Sequence, residues 1–496
     1  MKIRCTLLLL LTFHAIPCPG EAAGKPNVLF IAVDDLRPEL GCYGKEYIKS
    51  PNIDRLAKSG MVFTRAYCQQ SLCSPSRTSL MTGTRPDTTK VWDLTTNFRD
   101  TLPEVVTLGQ HFKQHGYFVQ GMGKIYHGGL NDPASWSVPW QVPAAAKYAL
   151  PQEGNSPSGK PGKKQKNRPE SKTPGAEGEA GRKGMVYECA DVPDDTYQDG
   201  KVAALARTTL QDLSQKPEPF FLAVGFIKPH LPWVAPKKYW DLYDEAKIEL
   251  APNPILPKGA PEYAVRQFDG EIYQYQGMSS KKEDVPTGLA RKLRHAYYAS
   301  VSYMDAQVGL LLDELKRLGI EQNTIIILWG DHGWKLGEHR AWGKHTNVEN
   351  DVNAPLILSV PGAKNAGAHC AALVEFVDIY PTLSELAGLP LPAHLEGTSL
   401  KPLLDNPEHP WKSAAFSQYP RGGLMGYSMR TDRYRFTVWA DQQDHAKVDA
   451  IELYDHQTDP QENTNIARDP AHAGLVSKLM EQWKLGWQGA KPAASP

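Results

Sequence analysis

Asn27 to Asp35 reads NVLFIAVDD, a run of strand length that is apolar from Val28 to Val33 and closes on two carboxylates. An uninterrupted apolar run is what a strand covered on both faces requires, whereas a strand with one wet face alternates. Two further stretches repeat the layout: Phe220 to Phe226 (FFLAVGF) runs into Lys228-Pro229-His230, and Thr324 to Trp329 (TIIILW) runs into Asp331-His332. Tyr117 to Met122 reads as another strand, ending beside Lys124 and His127. Ligands of open α/β sheets gather outside the carboxyl ends of the strands, so polar residues at several such ends imply one shared site. Between residues 289 and 318, Leu293, Tyr297, Val301, Met304, Val308, Leu311 and Leu315 recur at spacings of three and four, predicting a long amphipathic helix that crosses over the sheet. The expected fold class is therefore α/β, a mostly parallel central sheet flanked by helices.

Past Trp411 the texture changes to short alternating segments such as Tyr434 to Trp439 (YRFTVW) and Glu452 to Tyr454, followed by a helical pattern from Ala471 to Gln488. This predicts a catalytic domain over 25–410 and a smaller antiparallel C-terminal subdomain over 411–496. Residues 151–184 are rich in Pro, Gly, Lys, Glu and Ser and nearly free of large apolar residues, the composition of a disordered loop.

The 496 residues carry 55 Lys plus Arg against 55 Asp plus Glu, so no overall basic field points to nucleic acid, and anion recognition must be local. Residues 1–23 place Lys2 and Arg4 ahead of an apolar run from Leu7 to Ile16, the layout of a secretory signal. Export is expected, to the periplasm or medium of a bacterium or to the lysosome or exterior of a eukaryotic cell. The run is too short to span a bilayer, and no later window reads as a membrane helix. With Cys5 and Cys18 in the leader, Cys42, Cys68, Cys73, Cys189 and Cys370 remain. If Cys73 is consumed by modification, the other four either pair in one of three ways or stay as buried thiols.

An isolated Asp-Asp is commonly a cap or a turn. Two such carboxylates after a buried strand, with Asp331-His332 ending another, instead call for a cation, because like charges at close range raise each other's pKa. Oxygen-rich ligation suits calcium or magnesium. Cys73 to Arg85 reads CSPSRTSLMTGTR, with Pro75 expected just ahead of a helix start, whose amides favour anions, and Arg77 at the mouth of the site. Lys124 and His127 in GMGKIYHG, His230 held between Pro229 and Pro232, and Trp334 and Lys344 in and after GDHGWKLGEH complete the set. Each alone is ordinary surface or turn chemistry; together they suggest a pocket.

Asp34-Asp35, the Cys73 to Arg85 stretch, GKIYH, KPH and GDHGWKLGEH, with QYPR (418–421) and MGYSMRTDRYRFTVW (425–439), resemble the type I sulfatases of the alkaline-phosphatase-like superfamily, in their iduronate-2-sulfatase branch. The resemblance implies that a formylglycine-generating enzyme oxidises Cys73 to formylglycine (3-oxoalanine). Asp34, Asp35, Asp331, His332 and residue 73 itself would bind one calcium ion. The family mechanism then has the aldehyde hydrate attack sulfur with Asp331 as base, Arg77 stabilising the developing alkoxide, and Lys124 and Lys344 balancing sulfate charge. His230, with Lys344, protonates the departing sugar oxygen, and His127 removes the proton that expels sulfate. Trp334, Lys124, His230 and Lys344 would contact a sulfated saccharide, expected to carry a 2-O-sulfated uronate. The branch has a lysine for the sugar carboxylate in a longer insertion where this chain has only Gly422-Gly423-Leu424, so either Arg421 substitutes or the sugar differs. The competing readings are a sulfatase for another carbohydrate, a phosphate or phosphonate monoester hydrolase, and a non-catalytic protein that binds sulfated glycans.

Overall fold

The computed structural model describes residues 24–152, 183–266, 268, 270–279 and 283–492. The leader expected over 1–23 and nearly all of the low-complexity stretch 151–184 lie outside the described residues. The central sheet has seven strands in the order His369–Cys370, Met61–Phe63, Leu356–Ser359, Thr324–Gly330, Asn27–Val33, Phe220–Phe226 and Phe118–Gly123. Asn27–Val33 lies at the heart of a parallel block, pairing with Thr324–Gly330 on one side and Phe220–Phe226 on the other. Leu356–Ser359 runs antiparallel to both its neighbours.

The apolar run of this strand is explained by what covers it. Leu29, Ile31 and Val33 face one core, shared with Leu293, Tyr297, Val301 and Met304 of the Thr287–Arg317 helix. Val28, Phe30 and Ala32 face a second core, built with Leu80 and Met81 of the Cys73–Thr82 helix. Alternate side chains thus point to two dry layers, and no position along the strand can be polar. The long helix begins and ends within two residues of its predicted bounds. The strand expected over 117–122 is Phe118–Gly123.

The C-terminal sheet is a four-strand antiparallel meander, Ala414–Arg421, Leu424–Thr431, Tyr434–Asp441 and Val448–Asp455. Leu479 of the Ala473–Lys484 helix packs on its Met429, Phe436, Val438 and Leu453. That helix is shorter than the pattern over 471–488, because Leu485 and the left-handed Gly486 interrupt it before a last turn at Gly486–Gly489. A buried charge network ties the meander to the body: Arg435 lies between Glu349 and Glu462, and Arg430 donates to His456 at 2.8 Å. Glu349, His456 and Glu462 lie close enough to hold a cation, but these guanidinium groups already neutralise them.

All five cysteines among the described residues are free thiols, so the alternative of disulfide pairing does not hold. Among the described residues no helix is long and apolar enough to cross a membrane.

Candidate active site

The carboxyl ends of the parallel strands build the floor. Asp34 and Asp35 leave the end of Asn27–Val33 through a sharp turn in which Asp35 takes a φ of 59°, a left-handed conformation uncommon for a residue with a Cβ. The neighbouring strand end is bonded to this turn: the Asp331 amide donates to the Val33 carbonyl at 3.0 Å, and the Asp35 amide donates to Asp331 Oδ1 at 3.0 Å. Strand pairing, helped by the bond to the Asp331 carboxylate, therefore fixes the spacing of the acidic groups.

Cys73 is the first residue of the Cys73–Thr82 helix. Pro75 accordingly sits inside the first turn rather than ahead of it, where its missing N–H has no intrahelical partner to lose. Cys73 and Arg77 are four residues apart and share a face. The same spacing sends Arg77 one turn deeper into the protein, which overturns its expected place at the mouth. Arg77 is 0% exposed. Its Nε donates to Asp331 Oδ2 at 2.8 Å, its Nη1 to the Ile125 carbonyl at 3.1 Å, and its Nη2 lies 3.5 Å from Asp34 Oδ1. The guanidinium is a support under the floor, and its Nη2 has no hydrogen-bond partner.

Removing it leaves Asp331 without its buried ion-pair partner and takes one of several positive charges from Asp34. Arg77→Ala is expected to lose about 3–5 kcal/mol of unfolding free energy, as when one partner of a buried pair is deleted. Urea unfolding measures it; a loss below about 1 kcal/mol, the scale of an exposed pair, would contradict the buried role.

Above this support, Asp34, Asp35, Cys73 and His332 bring four donor atoms within 4.8 Å of one another. Asp331, predicted as a fifth ligand and as a base, stands one layer back. Its Oδ2 is taken by Arg77 and its Oδ1 by the Asp35 amide, although Oδ1 lies 3.5 Å from His332 Nε2. The four donors fit a divalent cation: both carboxylates are fully buried, and Asp35 Oδ2 has no hydrogen-bond partner. A buried carboxylate oxygen left unpaired is costly unless a positive charge meets it.

Two lysines face the same centre. Lys344 Nζ donates to Asp35 Oδ1 at 2.6 Å and lies 3.2 Å from Cys73 Sγ; Lys124 pairs with Asp34 Oδ2 and lies 3.7 Å from Cys73 Sγ. Burial alone would raise the Asp34 carboxyl, but Lys124, His230, Arg77 and Lys344 hold it well below its ordinary range. Burial and then Asp34 push the Cys73 thiol up to about 12, so the unmodified side chain is a neutral thiol and a poor nucleophile. Burial, reinforced by Lys124, pushes His127 down to about 4, and its Nδ1 has no hydrogen-bond partner.

The Trp334 ring is 1% exposed and packs edge-on against Trp233. Lys344 Nζ lies 5.3 Å from its centroid, so Trp334 supports the ammonium from below rather than lining the pocket as a substrate contact. His230 sits between the cis bonds Lys228–Pro229 and Leu231–Pro232. Lys228 Nζ bonds the His230 and Pro232 carbonyls at 2.7 and 2.6 Å, pinning the loop. His230 Nε2 lies 3.9 Å from Asp35 Oδ2 and 3.2 Å from Glu271 Oε2. Glu271 was not foreseen, since a single glutamate in DGEIYQY carries no motif. Arg421 is committed elsewhere, its Nε bonding the Tyr263 carbonyl at 2.8 Å and its Nη2 the His345 carbonyl. Two cavities of about 680 and 650 Å³ open elsewhere around Lys49 and Leu242, and neither is lined by the cluster.

The sulfatase family profile matches residues 26–389, and that of the N-sulphoglucosamine sulphohydrolase C-terminal region matches 337–486. Iduronate 2-sulfatase of Mus musculus is 35% identical, over 93% of this chain and 94% of its own length. The human iduronate 2-sulfatase is 34% identical, over 92% and 93%. Among solved structures, the phosphonate monoester hydrolase of Agrobacterium radiobacter shares the fold with a TM-score of 0.73 at 24% identity, covering 94% of this chain and 96% of that one. A complex with D-glucosamine-2-N,6-O-disulfate reaches the same TM-score at 22% identity, covering 94% and 98%.

Proposed function

The chain belongs to the sulfatase family and is a sulfuric ester hydrolase, and from that premise we propose that it removes sulfate from 2-O-sulfated uronate residues of glycosaminoglycan-type saccharides. The observation that carries the reading is the pair of ammonium groups at 3.2 and 3.7 Å from Cys73 Sγ, set against a buried carboxylate pair. An anionic ester would meet positive charge where its sulfur must approach residue 73. The uronate assignment draws on the two iduronate 2-sulfatase relatives. Arg421 spends its Nε and Nη2 on the Tyr263 and His345 carbonyls.

Sulfatases use a formylglycine and a divalent cation. At residue 73 the formylglycine would supply a hydrated aldehyde as nucleophile, while calcium held by Asp34, Asp35, His332 and residue 73 would offset charge on the attacking and transferred oxygens. Lys124 and Lys344 neutralise the sulfate oxygens, and Trp334 keeps the Lys344 ammonium in place. His230 presents Nε2 to the departing sugar oxygen: the S–O electron pair stays on that oxygen, which takes the Nε2 proton and leaves a neutral imidazole. His127, held neutral with an open Nδ1, accepts the proton whose removal releases sulfate. A formylglycine-generating enzyme is the maturation partner this reading requires. Export is part of the same proposal, supported by the leader-like composition of residues 1–23.

A desulfation panel tests the reading: 2-O-sulfated iduronate and glucuronate disaccharides, glucosamine 6-sulfate, and 4-nitrophenyl sulfate beside 4-nitrophenyl phosphate. Sulfate release from a 2-O-sulfated uronate is expected. Release only from other sugars overturns the substrate; preference for the phosphate would contradict the sulfatase assignment; no release by protein verified to carry formylglycine points to a binder.

A further inference from the structure

We propose that Glu271 is a positioning residue for His230, aligning the Nε2–H of the imidazole with the path of the departing sugar oxygen. The inference rests on the reading of His230 as the leaving-group acid and adds to it a residue that no sequence motif points out.

Glu271 opens a single turn of 3₁₀ helix, Glu271–Gln274. The preceding Gly270 makes this possible, since a Cβ there would lie 2.7 Å from the Trp342 carbonyl oxygen. The turn is therefore pressed onto the strand Trp342–Gly343, which leads directly into Lys344. One oxygen of the carboxylate is anchored: Lys183 Nζ donates to Oε1 at 2.9 Å, and the Tyr275 hydroxyl donates to it at 3.3 Å. The other, Oε2, faces His230 Nε2 at 3.2 Å.

The imidazole is held at its opposite end as well, where Nδ1 donates to the Leu231 carbonyl at 2.7 Å. A ring bonded at one nitrogen can still swing about that bond; a carboxylate 3.2 Å from Nε2 restrains the swing. With Nδ1 committed to a carbonyl, Nε2 is the one ring nitrogen left to face the centre, and Asp35 Oδ2 lies 3.9 Å from it. Glu271 keeps the ring turned toward the centre and gives up its place beside Nε2 when the sugar oxygen arrives there. A loop histidine with a single tether would spend part of its time turned away.

The test uses the leaving group. A sugar alkoxide needs a proton to depart, whereas 4-nitrophenolate departs without one, so loss of the aligned acid must fall more heavily on the sugar ester. The quantity read is the ratio of kcat on the best sugar sulfate of the panel to kcat on 4-nitrophenyl sulfate, measured on mature, cation-loaded enzyme. The ratio cancels any difference in the fraction of folded or modified protein. Glu271→Gln is expected to lower it by about tenfold, part of the roughly 10²–10⁴ that a positioned acid contributes, and His230→Ala is expected to lower it at least as far. A Glu271→Gln ratio equal to wild type, with that of His230→Ala lowered, overturns the role of Glu271 alone. An unaltered ratio in His230→Ala removes the acid itself and the proposal with it.

Discussion

Cys73→Ser is expected to reduce turnover of every sulfate ester by about 10⁴-fold or more, the scale on which loss of a nucleophile acts. The substitution is nearly isosteric at a position 2% exposed and bounded by Lys344, Asp34, His332 and Lys124 at 3.2 to 3.7 Å, so the fold and its melting temperature should persist. A serine hydroxyl can still be sulfated, but its ester has no second hydroxyl on the same carbon from which His127 could remove a proton to expel sulfate. Intact-mass analysis after incubation with substrate should therefore find one sulfate group retained on residue 73. The variant must be verified as serine by peptide mass before the assay. Repeated turnover by that verified protein would show that the aldehyde is dispensable and would overturn the chemistry assigned to this position.

Asp35→Asn should separate the cation from the nucleophile. Wild-type protein stripped with EDTA is expected to gain melting temperature when calcium is restored, because a ligand that binds only the folded state stabilises it by RT ln(1 + [L]/Kd). Asp35 is fully buried, has one oxygen without a hydrogen-bond partner, and lies beside Asp34. Asparagine at this position removes a negative charge from the donor set and offers only a neutral oxygen. The calcium-induced shift should largely disappear, and kcat/KM should fall by at least about 100-fold, beyond the 10–100-fold typical for groups that merely support a ligand. A variant that keeps the full calcium-induced shift would remove Asp35 from the ligand set, whatever its activity.

Much of the fold was legible because its signals are local. Val28 to Val33 is apolar at every position since each side faces a dry core, and the period of the Thr287–Arg317 helix follows from one face lying on the sheet. The site was legible to the extent that strands end in their chemistry: Asp34-Asp35, Lys124, His230 and Asp331-His332 all follow strands that share a sheet. Trp334 and Arg77 were misplaced for one reason. Both are large polar-tipped groups in functional stretches, and sequence alone does not say whether such a side chain faces the pocket or the layer beneath it. Glu271 was invisible because its neighbours carry neither period nor motif, and its partner His230 is remote in the chain.

By itself, then, the sequence determined the strand ends, the long helix that covers the sheet and the residue types available for catalysis. Strand length, helical period and turn chemistry are set by neighbours a few positions apart. Only the tertiary structure decided which of those residues meet. The bond from Arg77 to Asp331 spans 254 positions, and that from Lys344 to Asp35 spans 309. The contacts made at those meeting points divided four candidate cation ligands and two facing lysines from the arginine, aspartate and tryptophan that hold them. A charged group in the interior is stable only beside its counter-charge, and that requirement is met through space, between elements that local sequence does not connect.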